Sequence, residues 1–156
     1  MASNAAMKPV RRRLLQATGA MLLIASRPLR AADAALPSIP SMAAWLAGRT
    51  PRFDRIKLDL PSIADNGFAV PMKITVTGPF APGPYVKSIR LFSETNPVPD
   101  MAAFEFVQPL ERVEIDSRVR LAGTQQVVAI AEMTDGKLYA SVHEVIVTLA
   151  GCMDGT

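Results

Sequence analysis

Val127-Val128-Ala129-Ile130-Ala131-Glu132-Met133 runs through Thr134-Asp135-Gly136-Lys137 into Leu138-Tyr139-Ala140-Ser141-Val142-His143-Glu144-Val145-Ile146-Val147-Thr148-Leu149. The first piece is almost continuously apolar and rich in β-branched residues. That is the mark of a central strand covered on both faces. Asp135-Gly136 is hairpin-turn chemistry, because both residue types tolerate the backbone a tight turn needs. The third piece is the longest strand, with Tyr139, Val145, Val147 and Leu149 on one face. A strand, a tight turn and a strand at this spacing place the chain among antiparallel β proteins.

Working back, the same period-two pattern recurs. Ile56, Leu58 and Leu60 alternate with Lys57 and Asp59 until Pro61 ends the run. Asp65-Asn66-Gly67 is a turn, read from the tolerance of Asn and Gly for positive φ. Phe68, Val70, Met72, Ile74 and Val76 alternate next, with Pro71 marking a bulge or an edge. Val86–Phe92 is a third strand; alternation leaves open whether Ile89 and Leu91 or Val86 and Phe92 face inward. Ala102–Val107 carries Phe104 and Phe106, and Arg112–Leu121 is a fifth strand. About seven short strands with turns between them predict an all-β, immunoglobulin-like antiparallel β-sandwich spanning residues 55–149. The apolar faces of Val86–Phe92 and Leu138–Leu149 are candidates for meeting a partner.

Residues 35–54 form a lead-in. Within it Ser41 is expected to cap a short helix through Met42, Trp45 and Leu46, with Gly48 as the stop.

Residues 1–34 read as an export signal. Lys8 and Arg11-Arg12-Arg13 precede a mildly apolar run, Leu14–Ser26, and then small residues. The run is too short and too weak to span a bilayer. Arg11-Arg12-Arg13-Leu14-Leu15-Gln16 has the look of a twin-arginine signal. The expected location is periplasmic, without stable membrane insertion. Six of the 17 basic residues precede Ala32 and no acidic residue does, leaving 11 basic against 14 acidic residues from Ala32 onward. The formal charge of +3 thus belongs to the leader, and a nucleic-acid partner is not expected.

Residues 150–156 form a terminal arm holding Cys152, the one cysteine of the chain. No internal disulfide can form, although an exported protein would permit one. Gly151 is expected to give the arm flexibility. Three residues from Leu149 would let the thiol reach roughly 10 Å. His143, the single histidine, has no neighbouring ligand in sequence, so no metal site is expected. No triad, phosphate loop or carboxylate pair is present, so the chain is not expected to be an enzyme.

Several of these pieces occur together in one family. Lys57-Leu58-Asp59-Leu60-Pro61, Ile63-Ala64-Asp65-Asn66-Gly67-Phe68-Ala69-Val70-Pro71, Ile89-Arg90-Leu91-Phe92, Asn96-Pro97, Asp135-Gly136-Lys137-Leu138-Tyr139 and Val145-Ile146-Val147-Thr148 leading to Gly151-Cys152 resemble SoxY. SoxY is the sulfur-carrier subunit of the bacterial thiosulfate-oxidising Sox system.

The resemblance implies an immunoglobulin-like sandwich, a heterodimer with SoxZ, and covalent carriage of sulfur intermediates on Cys152. SoxXA would attach thiosulfate oxidatively, SoxB would release sulfate, and a sulfane dehydrogenase or another acceptor would take the rest. No cofactor of the carrier's own is implied. The family's arm is typically Gly-Gly-Cys-Gly-Gly. Here it is Ala150-Gly151-Cys152-Met153-Asp154-Gly155-Thr156, which keeps Gly151 and Cys152 in register. The competing reading is a non-carrier interaction module, or a diverged SoxY paralogue, in which Cys152 is incidental or disulfide-linked to a partner.

Overall fold

The computed structural model describes residues 35–78 and 82–151. The leader and the residues from Cys152 onward lie outside this range. Helix α1 (Pro40–Leu46) precedes eight strands: β1 (Ile56–Asp59), β2 (Ile63–Ala64), β3 (Val70–Val76), β4 (Val86–Ser93), β5 (Asp100–Glu105), β6 (Val113–Val119), β7 (Gln125–Met133) and β8 (Leu138–Val147). A three-stranded sheet in the order β1-β3-β6 packs on a five-stranded sheet in the order β2-β8-β7-β4-β5. The immunoglobulin-like sandwich is therefore present, with one addition. The two-residue β2 lies parallel to the end of β8, pairing Ile63 with Ile146 and Ala64 with Val147.

β7 shows why its sequence is apolar throughout. Val127, Ala129, Ala131 and Met133 enter the core between the sheets. Val128 and Ile130 face the other way, into a second cluster with Met42 and Leu46 of α1. The sheet is thus covered on both faces. The same arrangement resolves β4, where Val86, Ile89 and Leu91 face the inter-sheet core and Phe92 faces the helix. A register shift between Val86 and Ser88 puts Val86 and Ile89 on one side despite their odd spacing.

The lead-in is ordered and docked. Trp45 stands 6.0 Å from Phe92, ring centre to ring centre, and the guanidiniums of Arg49 and Arg90 lie 5.2 Å and 5.5 Å from its own ring centre. Ser41 does not cap α1 as expected. Ile39 holds the N-cap position without a side-chain bond, and Pro40 starts the helix with a fixed φ. Ser41 sits inside the first turn with its hydroxyl buried and unpaired. The stop is a pair, Ala47 at φ 51° and Gly48 at φ 81°.

Pro71 sits where β3 has a neighbour on one side alone. It pairs with Arg118 of β6, while β1 reaches only as far as Lys73. The missing amide hydrogen therefore costs no ladder bond to β1. The free edge of β1 is tied to the other sheet, because the Leu58 amide donates to Ser141 Oγ at 3.1 Å. On the opposite side the edges of β5 and β6 stay apart, leaving a groove of mixed lining, with Met101, Phe104 and Val119 beside Asp100, Arg118 and Arg120.

The β4 and β8 faces offered above as partner surfaces are mostly spent internally, on the core and on α1. Of their large apolar side chains, only Ile146 and Leu149 remain exposed.

Candidate functional site

The chain leaves the sandwich at the end of β8, and three backbone bonds hold it there. The Gly67 amide donates to the Leu149 carbonyl at 2.7 Å, the Leu121 amide to the Gly67 carbonyl at 2.9 Å, and the Gly151 amide to the Leu121 carbonyl at 2.8 Å. Two further bonds support them: Thr148 N–H to the Ala64 carbonyl at 3.0 Å and Thr148 Oγ1 to the Asp65 carbonyl at 2.8 Å. Three segments remote in sequence thus meet at one point: the 65–69 turn, the loop after β6 and the root of the arm.

Two glycines permit this meeting. A Cβ on Gly151 would stand 2.2 Å from both the carbon and the oxygen of the Gly67 carbonyl, and 2.6 Å from the Phe68 amide nitrogen. A Cβ on Gly67 would stand 2.3 Å from the Leu121 carbonyl oxygen and 2.6 Å from the Gly151 nitrogen. Both residues are buried. Gly67 does not have positive φ, so the reason given for it from sequence is replaced by close backbone approach. Asn66 contributes differently: its side chain accepts the Phe68 amide at 2.8 Å and starts a short 3-10 turn, Gly67–Ala69.

Gly151, expected to loosen the arm, is hydrogen-bonded and buried at the arm's root. The described chain is therefore held up to Gly151, and the reach counted from Leu149 shortens accordingly. Cys152 itself lies outside the described residues. Its Cα is fixed by covalent geometry about 3.8 Å from that of Gly151.

Leu121 is held in turn by polar side chains that sequence reasoning did not single out for the site. Asn96 Nδ2 donates to the Arg120 carbonyl at 2.9 Å, and its Oδ1 accepts from the Ala122 amide at 2.8 Å and from Gln125 Nε2 at 2.9 Å. Gln125 is 3% exposed, and its Oε1 accepts the Thr95 amide at 3.0 Å. An amide pair with its partners in place, Gln125 buried and Asn96 half-buried, rigidifies the loops that it joins. Asn96-Pro97 was legible as a motif, but its link to the arm through Leu121 was not.

Large apolar side chains stand exposed around the arm root, with Asp65, Asn66 and Arg120 also exposed beside them. Ile63, Phe68, Ile146 and Leu149 are four of the eight large apolar side chains exposed among the described residues. His143 lies half-buried on β8 opposite Val127. Among the described residues no group of three or more His, Cys, Asp or Glu is placed to hold a metal, and no helix is long and apolar enough to cross a membrane.

Comparison with known proteins agrees with this architecture. Residues 42–152 match the family model described as sulfur oxidation protein SoxY. The sulfur carrier protein SoxY from Chlorobium limicola f thiosulfatophilum is similar in structure, with 33% identity and a TM-score of 0.55; the match covers 70% of this chain and 94% of that one. A superoxide reductase (neelaredoxin) from Ignicoccus hospitalis, in a variant form, matches at 15% identity and a TM-score of 0.48, covering 72% of this chain and 99% of that one. That likeness is too weak to bear on fold or function. No curated protein matches the chain in sequence.

Proposed function

This chain belongs to the SoxY family of sulfur oxidation proteins, and from that premise we propose that it carries sulfur intermediates covalently on Cys152 during thiosulfate oxidation. The observation that bears most weight is the clamp at Gly151. It ends one residue before the cysteine, so the sandwich holds the residue to which its single thiol is directly joined.

The chemistry asked of that thiol is simple. Its thiol, ionised as it reacts, forms a sulfur–sulfur bond to thiosulfate, giving Cys–S–S–SO3⁻. One proton is released and two electrons pass to an oxidising haem partner of the SoxXA type. A SoxB-type hydrolase then adds water across the terminal sulfur–sulfur bond. Sulfate and two protons leave, and a persulfide stays on Cys152. That sulfane sulfur is oxidised by a sulfane dehydrogenase or passed to another acceptor. The carrier supplies a tether and no catalytic group, so a released intermediate never dilutes into bulk. It acts as a heterodimer with a SoxZ-like subunit in the periplasm, reached through the leader in residues 1–34.

The test is mass spectrometry of the protein with its SoxZ-like subunit after incubation with thiosulfate and SoxXA. The wild type should gain a thiosulfonate on Cys152, and Cys152→Ser should gain nothing while keeping its fold and its heterodimer. A wild type that never acquires the adduct defeats the reading. The chain would then stand as an interaction module whose cysteine is incidental.

A further inference from the structure

The geometry points to a docking collar around the arm root: Ile63, Phe68, Ile146 and Leu149 form the surface on which the enzymes that modify Cys152 land. This deepens the carrier reading and rests on it.

The first ground is reach. Gly151 is bonded through its amide to Leu121 and has its Cα against Gly67. With that residue fixed, the thiol of the next one stays within roughly 7 Å of the Gly151 Cα. An enzyme that takes the sulfur into its own reaction site must therefore bring its rim against the surface beside Gly151. A long tether would let a partner act from a distance; this root does not.

The second ground is what that surface is made of. Ile63 and Ile146 stand side by side in the β2–β8 pair, 60% and 49% exposed. Leu149, 56% exposed, accepts the Gly67 amide with its carbonyl, and Phe68, 46% exposed, follows Gly67 directly. Neither Asn66–Val70 nor Ile146–Gly151 contains a charged residue. Scattered exposed apolar residues are ordinary, but four gathered at a single chain exit mark an interaction surface.

The occupant that fits is an enzyme whose channel mouth has an apolar rim and admits a few residues of chain. Apolar contact also suits several successive partners, since it sets no pattern of charges that each would need to match.

The test measures loading of Cys152 with thiosulfate by the SoxXA-type oxidase, using the complete carrier heterodimer at varied concentration. The variants are Leu149→Ser, Phe68→Gln and the pair Ile63→Ser with Ile146→Ser. Val107→Ser is the control. Val107 is 94% exposed and follows β5, at the other edge of the same sheet, so it lies roughly 19 Å across the strands from β2.

Each collar variant should raise KM for the carrier about fivefold or more with kcat unchanged. The rate at which a small maleimide labels Cys152 should not change, and Val107→Ser should match the wild type. Folding is checked by thermal melting, and three independent variants keep the test alive if one fails to fold. Wild-type KM in all the folded collar variants overturns the proposal. So does a KM rise matched by slower maleimide labelling, which would mean that the arm itself was disturbed. If the wild type is never loaded, the carrier reading has failed, and the collar falls with it.

Discussion

Gly151 and Gly67 touch backbone to backbone, so closely that a Cβ on Gly151 would sit 2.2 Å from the Gly67 carbonyl oxygen. This contact ties the last described residue of the chain to a turn far earlier in the sequence. It also sets how far the cysteine that follows can travel.

Alanine at either glycine should therefore be costly. The obstructing atoms are backbone carbonyls and amides, which cannot swing aside as a side chain would. Gly151→Ala and Gly67→Ala should each lose about 1–3 kcal/mol, seen as a fall in Tm of roughly 5–15 °C. Hydrogen exchange of the Leu121 amide should quicken in both, since its acceptor is the Gly67 carbonyl. An unchanged melting point would mean that the clamp is not a fixed part of the fold.

Ser41 offers a change in the other direction. Its buried hydroxyl has no partner inside the first turn of α1. Ser41→Ala removes an unsatisfied polar group and adds a better helix former. The variant should be more stable than the wild type by about 1 kcal/mol in chemical denaturation.

Trp45 fastens the lead-in to the outer face of the five-stranded sheet, against Phe92 and beneath two guanidiniums. Trp45→Ala should cost about 2–4 kcal/mol. It should also expose residues 35–50 to limited proteolysis, while the inter-sheet core keeps its protection.

Acid should weaken the three-stranded sheet through one carboxylate. The Lys73 ammonium bonds the Glu114 carboxylate across β3 and β6, and Arg112 pairs with it too. The hydrogen bond from Lys73, helped by the nearby Arg112, holds Glu114 below its ordinary value of 4.5, although burial opposes the shift. Folding then favours the ionised form. The contribution is fully present above the ordinary value and is lost as pH falls through the lower folded one. The Tm of Glu114→Gln should lie below that of the wild type at neutral pH, and the two should converge in acid.

Much of this molecule was legible one strand at a time. The unbroken apolar run of β7 announced a strand with two covered faces, and Asp135-Gly136 announced the hairpin. There Gly136 does have positive φ, 82°, and the Asp135 side chain accepts the Lys137 amide at 3.2 Å. These are local properties, fixed by which residues stand next to each other. Alternation along β4 could not settle its inward face, because α1 and the opposite sheet bury both sides. β2 was missed because two residues have no period.

Gly67, Leu121 and Gly151 form the deeper case. Sequence supplied a terminal cysteine and a glycine beside it, and a missing side chain reads equally well as freedom or as room for a neighbour. Folding chose the second for Gly151, because three distant backbones converge where any Cβ would collide. Adjacency in the chain could establish strands, turns and a solitary thiol. What holds the root of that thiol is a contact between segments far apart in sequence, and such a contact exists only after the sheets have closed on each other.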